Sequence, residues 1–423
     1  MKFHKSTLSN GLRIITVPMH DNPSATVMVA TETGSHHESK KENGLSHFLE
    51  HMLFKGTPTR PSALSVSTEL DAIGAESNAF TSSEMTAYYA KSEKKHWKKL
   101  LEVVSDIYLN PSFPVADLEK ERGVILQEIS MYKDLPKRYV WDVLAKLMYG
   151  ESSAGRAIIG SEENIKNFSR QDFLSYHRKH YVASKTIVVV AGDVTSKNVL
   201  EEVNRIFGML PLVKKRIKEK IKEKQSASAL SVENKKSDQT HMVMAFRAYD
   251  AKDKRNAQLA VLMGILGNGS SSRLFQKLRE EMGACYYVHT MRDTLTDHGL
   301  AAIYTGVDKA RVAEVTKAII DECKRLTYEL VSDKELEKTK NYLTSHMYMG
   351  LETTDTMAGF YLSEEIVREV VKNPQDIEKE IRAITNKDIV EIAGEIFKDE
   401  NLNLAIVGNI KDSKPIKKVL TFK

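Results

Sequence analysis

The stretch "TIVVVAGDV", residues 186–194, decides how the rest of this sequence is read. It is short, β-branched and closed by a glycine, the signature of a buried strand ending in a turn. Residues 402–410, "LNLAIVGNI", repeat the pattern. Each strand follows a helical stretch that opens on a capping pattern, Ser169 to Asp172 in the first case and Thr385 to Asp388 in the second. The distance from cap to glycine is the same both times, from Ser169 to Gly192 and from Thr385 to Gly408. The shift that carries Ser169 onto Thr385 and Gly192 onto Gly408 also carries Val115 and Asp117 onto Val331 and Asp333. Three markers at one shift indicate an internal duplication. The copies would occupy 1–212 and 237–423, with a Lys- and Ser-rich linker at 213–236. Alternating strands joined by short turns, interleaved with long helical patterns, predict an α+β fold. It would hold two duplicated domains, each with helices packed on a largely antiparallel β-sheet.

The totals fit that plan. A chain of 423 residues exceeds one ordinary core, and 41% hydrophobic with 28% charged residues is the composition of a soluble globular protein. No apolar run approaches the roughly 18 residues that span a bilayer. The opening "MKFHKSTLSNGLRIITVPM" reads as a hairpin about Asn10-Gly11 rather than as a targeting segment. Two cysteines, Cys285 and Cys323, exclude a disulfide framework and suit a reducing compartment, so a cytoplasmic location is expected. The net charge of +5 is that of one run, "KKRIKEKIKEKQ" at 214–225, and the remainder is close to neutral. A nucleic-acid binder spreads its charge over a face, so that class is disfavoured, and the run is expected to be a solvated connector.

Function is concentrated in "GLSHFLEHMLFKG", residues 44–56. At 100° per residue, Leu45, Phe48, Leu49, Met52 and Leu53 share one helix face, while His47, Glu50 and His51 share the other. Two imidazoles spaced i, i+4 stand close enough to hold one metal ion, and a carboxylate beside them can take a proton from an attacking water. Under the shift that relates the copies, these three positions become Met263, Leu266 and Gly267, so the cluster occurs once per chain. A catalytic zinc needs a third protein ligand. The segment "DLEKERGVILQEISMY", 117–132, has Glu121 and Glu128 almost in line at the edge of an apolar stripe; Glu128 can ligate, and Glu121 can orient a ligand ring.

The order H-x-x-E-H at 47–51, followed by E at 121 and E at 128, resembles in residues and spacing the pitrilysin family of zinc metallopeptidases, the inverzincins. Within that family the likeness is to the mitochondrial-processing-peptidase-like subgroup of about 420 residues. That resemblance implies one Zn2+ per chain on His47, His51 and Glu128, with Glu50 as general base and Glu121 behind the ligands. It implies that Asn78 and Ala79 of "SNAFTSSEMTAYY", 77–89, present backbone or amide groups to an extended peptide. It also implies substrate contacts from Arg279 and Tyr286 of "GNGSSSRLFQKLREEMGACYYV", with Tyr286 donating to the oxyanion and Arg279 holding a substrate carbonyl.

The activity so implied is that of a zinc endopeptidase acting on peptides or unfolded segments inside an enclosed chamber. A homodimer is expected, with Arg279 and Tyr286 of one chain serving the metal of the other; no nucleic acid or membrane is involved. A silent structural subunit of the same fold is the alternative, although such a subunit should have lost one of the four motif residues. A module with purely structural zinc is disfavoured by the free Glu50. His36 and His37, in "GSHHESKKENG", are expected to be solvated loop residues.

Overall fold

The computed structural model describes residues 3–215, 217–368 and 370–423, so Met1, Lys2 and Arg216 of the basic run lie outside the described residues. Two compact units form. The first comprises the chain up to Ile129 with Arg156–Glu219 and Gly350–Val371; the second comprises Ser130–Gly155, Lys220–Met349 and Lys372–Lys423.

The first unit is built on six strands: β1 (His4–Thr7), β2 (Arg13–Pro18), β3 (Ser24–Thr31), β4 (Glu76–Thr81), β5 (Thr86–Glu93) and β6 (Thr186–Gly192). Their order is β1-β2-β6-β3-β5-β4. Only the β2–β6 pair is parallel. The β1–β2 hairpin turns at Gly11, whose φ of 86° is a conformation glycine adopts freely. β6 lies in the middle, and all seven of its residues are buried. Burial on both faces explains why it reads as an unbroken apolar run rather than an alternating one.

The second unit has β7 (Ala229–Asn234), β8 (Thr240–Ala248), β9 (Cys285–Thr294), β10 (Gly299–Val307) and β11 (Leu402–Gly408), in the order β7-β11-β8-β10-β9. Here β7–β11 is the parallel pair and the rest are antiparallel. Pair by pair, this repeats β2-β6-β3-β5-β4. The two strands that share the glycine-closed pattern, β6 and β11, occupy equivalent places.

The helices divide otherwise than the chain halves suggest. Helix Pro136–Tyr149 lies in the first half of the sequence, yet it belongs to the second unit. Its Val140, Leu144 and Met148 form a buried cluster with Val243, Ala245, Ala302, Ala405 and Val407 of β8, β10 and β11. Helix Thr354–Val367, late in the chain, belongs to the first unit and packs on β2, β3 and β6. Its Thr354 hydroxyl is 2.8 Å from that of Thr26, and Glu365 pairs with Lys5 and Arg13 at 2.7 and 3.2 Å. The boundaries 1–212 and 237–423 therefore need correction. An apolar stripe shows that a helix must dock, but either sheet could receive it.

The linker 213–236 is also more structured than expected. It contains β7, and two lysines of the basic run are engaged: Lys215 pairs with Glu32, and Lys218 with the buried Glu84 at 3.2 Å. Lys214, Lys220, Lys222 and Lys224 are exposed, as expected of a solvated connector. A buried carboxylate can draw one member out of a charge run whose remainder stays in solvent. Among the described residues, no helix is long and apolar enough to cross a membrane.

Candidate metal centre and substrate strand

Helix Leu45–Leu53 docks as its pattern requires. Leu45, Phe48, Leu49, Met52 and Leu53 are at most 2% exposed, while His47, Glu50 and His51 are half-buried on the other face. Helix Val115–Asp134 sinks Leu118, Ile125 and Ile129 into the core. That seating brings Glu128 to the two imidazoles. One donor atom from each of His47, His51 and Glu128 lies within 4.8 Å of the others, and this is the only such group of three among the described residues. His47 Nε2 and His51 Nε2 are 3.8 and 3.9 Å from Glu128 Oε2. Tetrahedral zinc, with bonds of about 2.0–2.2 Å, holds neighbouring donors about 3.3–3.6 Å apart. Two imidazole nitrogens and one carboxylate oxygen, with a fourth position left to water, are the donor set of a catalytic zinc site, so the residues fit the ion.

Glu121, two helical turns before Glu128, stands behind His51. Its Oε2 is 3.0 Å from His51 Nδ1, which turns Nε2 of the same ring toward Glu128. Lys55 lies 2.7 Å from the other Glu121 oxygen. Although burial opposes it, hydrogen bonds from Lys55 and His51 hold the Glu121 carboxyl below the usual carboxylate range. Glu50 is different. Burial pushes its pKa up and the Glu128 charge adds to this, against the pull of Thr81 and His51. The Thr81 hydroxyl donates to Glu50 Oε2 at 2.5 Å. Neither Thr81 nor Lys55 was singled out from the sequence. Thr81 lies three residues beyond Asn78 in the same strand, and Lys55 lies one helical turn beyond His51.

Thr81 belongs to β4, the edge of the first sheet, which is bonded on one side only, to β5. Asn78 is exposed and Ala79 half-buried. The Ala79 N–H donates to the Asn78 side-chain oxygen at 2.8 Å. An open strand edge bordering the His/Glu cluster is where an extended peptide can add as a further strand.

In the second unit, Arg279 and Tyr286 meet. The segment Phe275–Glu281 winds as a π-helix, a form found mostly at functional sites. The Arg279 guanidinium lies 5.3 Å from the Tyr286 ring centre and 4.9 Å from that of Phe275. Along the β9–β10 ladder, Tyr287 faces Gly306 and Cys285 faces Val307, so Tyr286 is the extra residue of a β-bulge. A bulge re-aims its side chain, and Tyr286 is 73% exposed.

His36 and His37 are not solvated. His36 is 6% exposed, and the N–H groups of Ser35 and His36 bond to the carbonyls of Ser82 and Ser83 at 3.2 and 2.8 Å. Burial lowers the His37 pKa, and the charge of Lys185 lowers it further. The loop is folded onto the sheet, which its polar composition did not reveal.

Residues 13–162 match the family model described as "Insulinase (Peptidase family M16)", and residues 167–343 match "Peptidase M16 inactive domain". The chain belongs to peptidase family M16, the family to which its zinc motif pointed. A protein of Bacillus subtilis (strain 168) described as an uncharacterized zinc protease is 32% identical over 404 residues, covering 95% of this chain and 97% of that protein. One of the same description from Streptomyces coelicolor is 30% identical over 416 residues, covering 97% and 90%. A solved protease from Helicobacter pylori superposes with a TM-score of 0.88 at 23% identity, covering 96% of this chain and 99% of that one. A peptidase M16 inactive domain from Pseudomonas fluorescens superposes with a TM-score of 0.89 at 17% identity, covering 96% and 98%. At those identities the superpositions speak for the fold. The match to an inactive domain at 167–343 takes in the positions that replace the motif in the repeat: Met263 and Leu266, in place of His47 and Glu50, are 2% and 0% exposed.

Proposed function

We propose that this protein is a zinc-dependent endopeptidase that cuts peptides and extended segments. The observation that carries the reading is the convergence of His47, His51 and Glu128, with Glu50 beside them and held by Thr81. Zinc bound by those three residues would supply Lewis acidity toward a scissile carbonyl and acidify a water. Glu50 then takes the proton of the attacking water and passes it to the leaving amine, a role for which a raised pKa is suited. Glu121 fixes the His51 ring through Nδ1. The β4 edge, with Asn78 and Ala79, receives the substrate backbone as an added strand, which favours extended chains over compact folded ones. Arg279 and Tyr286 contact the substrate, with Tyr286 donating to the oxygen that gains charge and Arg279 holding a carbonyl.

The decisive test is Glu50→Gln. The three ligands remain, so zinc content should stay at one per chain while hydrolysis of unfolded peptides falls to background. Hydrolysis by Glu50→Gln at the wild-type rate would sink the mechanism.

A further inference from the structure

The helix that carries the motif lacks a cap of its own. Helix Leu45–Leu53 is nine residues long, and its first N–H groups have no partner within it. Gly44, at the cap position, has a φ of 102° and no side chain to accept a bond. A residue six positions upstream does this work. Glu38 Oε2 accepts from the Gly44 N–H at 2.8 Å and from the Asn43 side-chain amide at 3.2 Å, and Oε1 accepts from the Ser46 N–H at 2.7 Å. The Glu38 side chain is buried, with the residue 3% exposed.

We propose that Glu38 is a positioning residue for this site: its carboxylate bridges the first turn of the helix and so sets where His47 and His51 stand relative to Glu128. The proposal rests on reading those three residues as metal ligands.

Two features separate this bridge from an ordinary cap. Its oxygens bond at two points of one turn, on either side of Leu45, so they fix the rotation of the helix as well as its end. Side-chain tips stand about 5–6 Å from a helix axis, so a turn of about 10° moves an imidazole by about 1 Å. Metal sites tolerate about 0.2 Å. The bridge is also held from behind. Arg156 donates to the Glu38 carbonyl at 2.6 Å, and Asn43 donates to that of Ala157 at 3.0 Å. A Cβ on Gly44 would come within 2.9 Å of the Gly160 Cα, so the turn cannot slide past that segment. The chemistry requires an acceptor at both ends. A glutamine would turn an NH2 group toward an N–H donor whichever way its amide lay, and an aspartate falls one methylene short. Burial pushes the Glu38 pKa up to about 7 against the pull of its donors, so measurements at pH 8 read the carboxylate form.

The experiment compares wild type, Glu38→Gln, Glu38→Asp and a control, Val203→Ala, as purified full-length protein at pH 8. Val203 is a fully buried residue on helix Ser196–Phe207, which packs on β2. Zinc affinity is read by chelator competition, and site geometry by the visible spectrum of the cobalt-loaded protein. We expect Glu38→Gln to bind zinc about 10- to 100-fold more weakly, the range for residues behind a metal's ligands, with an altered cobalt spectrum. Glu38→Asp should fall between it and wild type. Val203→Ala should lose thermal stability and change neither readout. Wild-type affinity and spectrum in folded Glu38→Gln overturn the proposal; if that variant does not fold, the same result in Glu38→Asp overturns it. Equal weakening in Val203→Ala overturns it as well. These results leave the metal reading intact, whereas a wild type that binds no zinc overturns both.

Discussion

Replacing Glu121 with glutamine tests how far the proposed metal centre depends on a residue outside its three candidate ligands. Glu121 accepts from two donors, one on each oxygen: His51 Nδ1 at 3.0 Å and Lys55 Nζ at 2.7 Å. It is 14% exposed, so water can replace neither contact fully. Glutamine keeps the shape but offers one oxygen and one NH2. If the oxygen faces His51, the NH2 confronts the Lys55 ammonium; if it faces Lys55, the NH2 confronts the imidazole N–H. In either case a charge-assisted bond is lost, worth about 1.5–3 kcal/mol. That corresponds to zinc binding roughly 10- to 100-fold weaker, provided the ring is freed to turn. Lys55→Met leaves the His51 contact in place and should cost less than about threefold. The assay is competition with a chromophoric chelator at fixed pH, with Glu128→Gln as the variant that loses a ligand outright. The reasoning fails if Glu121→Gln binds zinc within about twofold of wild type while Glu128→Gln is crippled.

Thr81→Val removes the hydroxyl that holds Glu50, so it should lower kcat about three- to tenfold with zinc affinity unchanged, the size of one ordinary hydrogen bond; Thr81→Ser should restore most of the rate. His177 is lowered by burial from 6.5 to about 4, so between those values the fold binds fewer protons than the unfolded chain. Its contribution to stability is whole above about pH 6.5 and lost as pH falls toward about 4, a change on the order of 3 kcal/mol. Urea unfolding across that range should therefore show a shallower acid slope for His177→Asn than for wild type. If the active form is a homodimer whose sites draw on both chains, mixing the inactive variants Glu50→Gln and Tyr286→Phe should recover about a quarter of wild-type activity, since half the dimers gain one intact site. No recovery after verified subunit exchange would rule that arrangement out.

What the sequence determined by itself lies within a few residues along the chain. The i, i+4 spacing places His47 and His51 on one side of a helix, and Glu50 beside them, because the helix repeat is the same wherever the helix lies. The capping boxes at Ser169–Asp172 and Thr385–Asp388 are present for the same reason. The apolar, glycine-closed runs that became β6 and β11 were legible because burial on both faces leaves no choice of residue type. Glu128 lies far along the chain from His51, and spacing on its own left it a candidate; a family likeness pointed to it, and the seating of its helix brought it within reach.

Only the tertiary structure decided the rest. Helices Pro136–Tyr149 and Thr354–Val367 carry apolar stripes that fit either sheet, and the path of the chain, not the stripe, assigned each to its unit. Thr81 reaches Glu50, distant from it in sequence, because the edge strand runs beside the motif helix. Tyr286 is turned outward by a one-residue slip between β9 and β10 that no alternation pattern encodes. Nothing in the polar stretch around Glu38 marks it out, and burial under a helix end made it an acceptor for three donors. A side chain's chemistry is written in its own residue, but its partner is fixed by the packing of elements far apart in sequence, and that packing depends on every core contact at once.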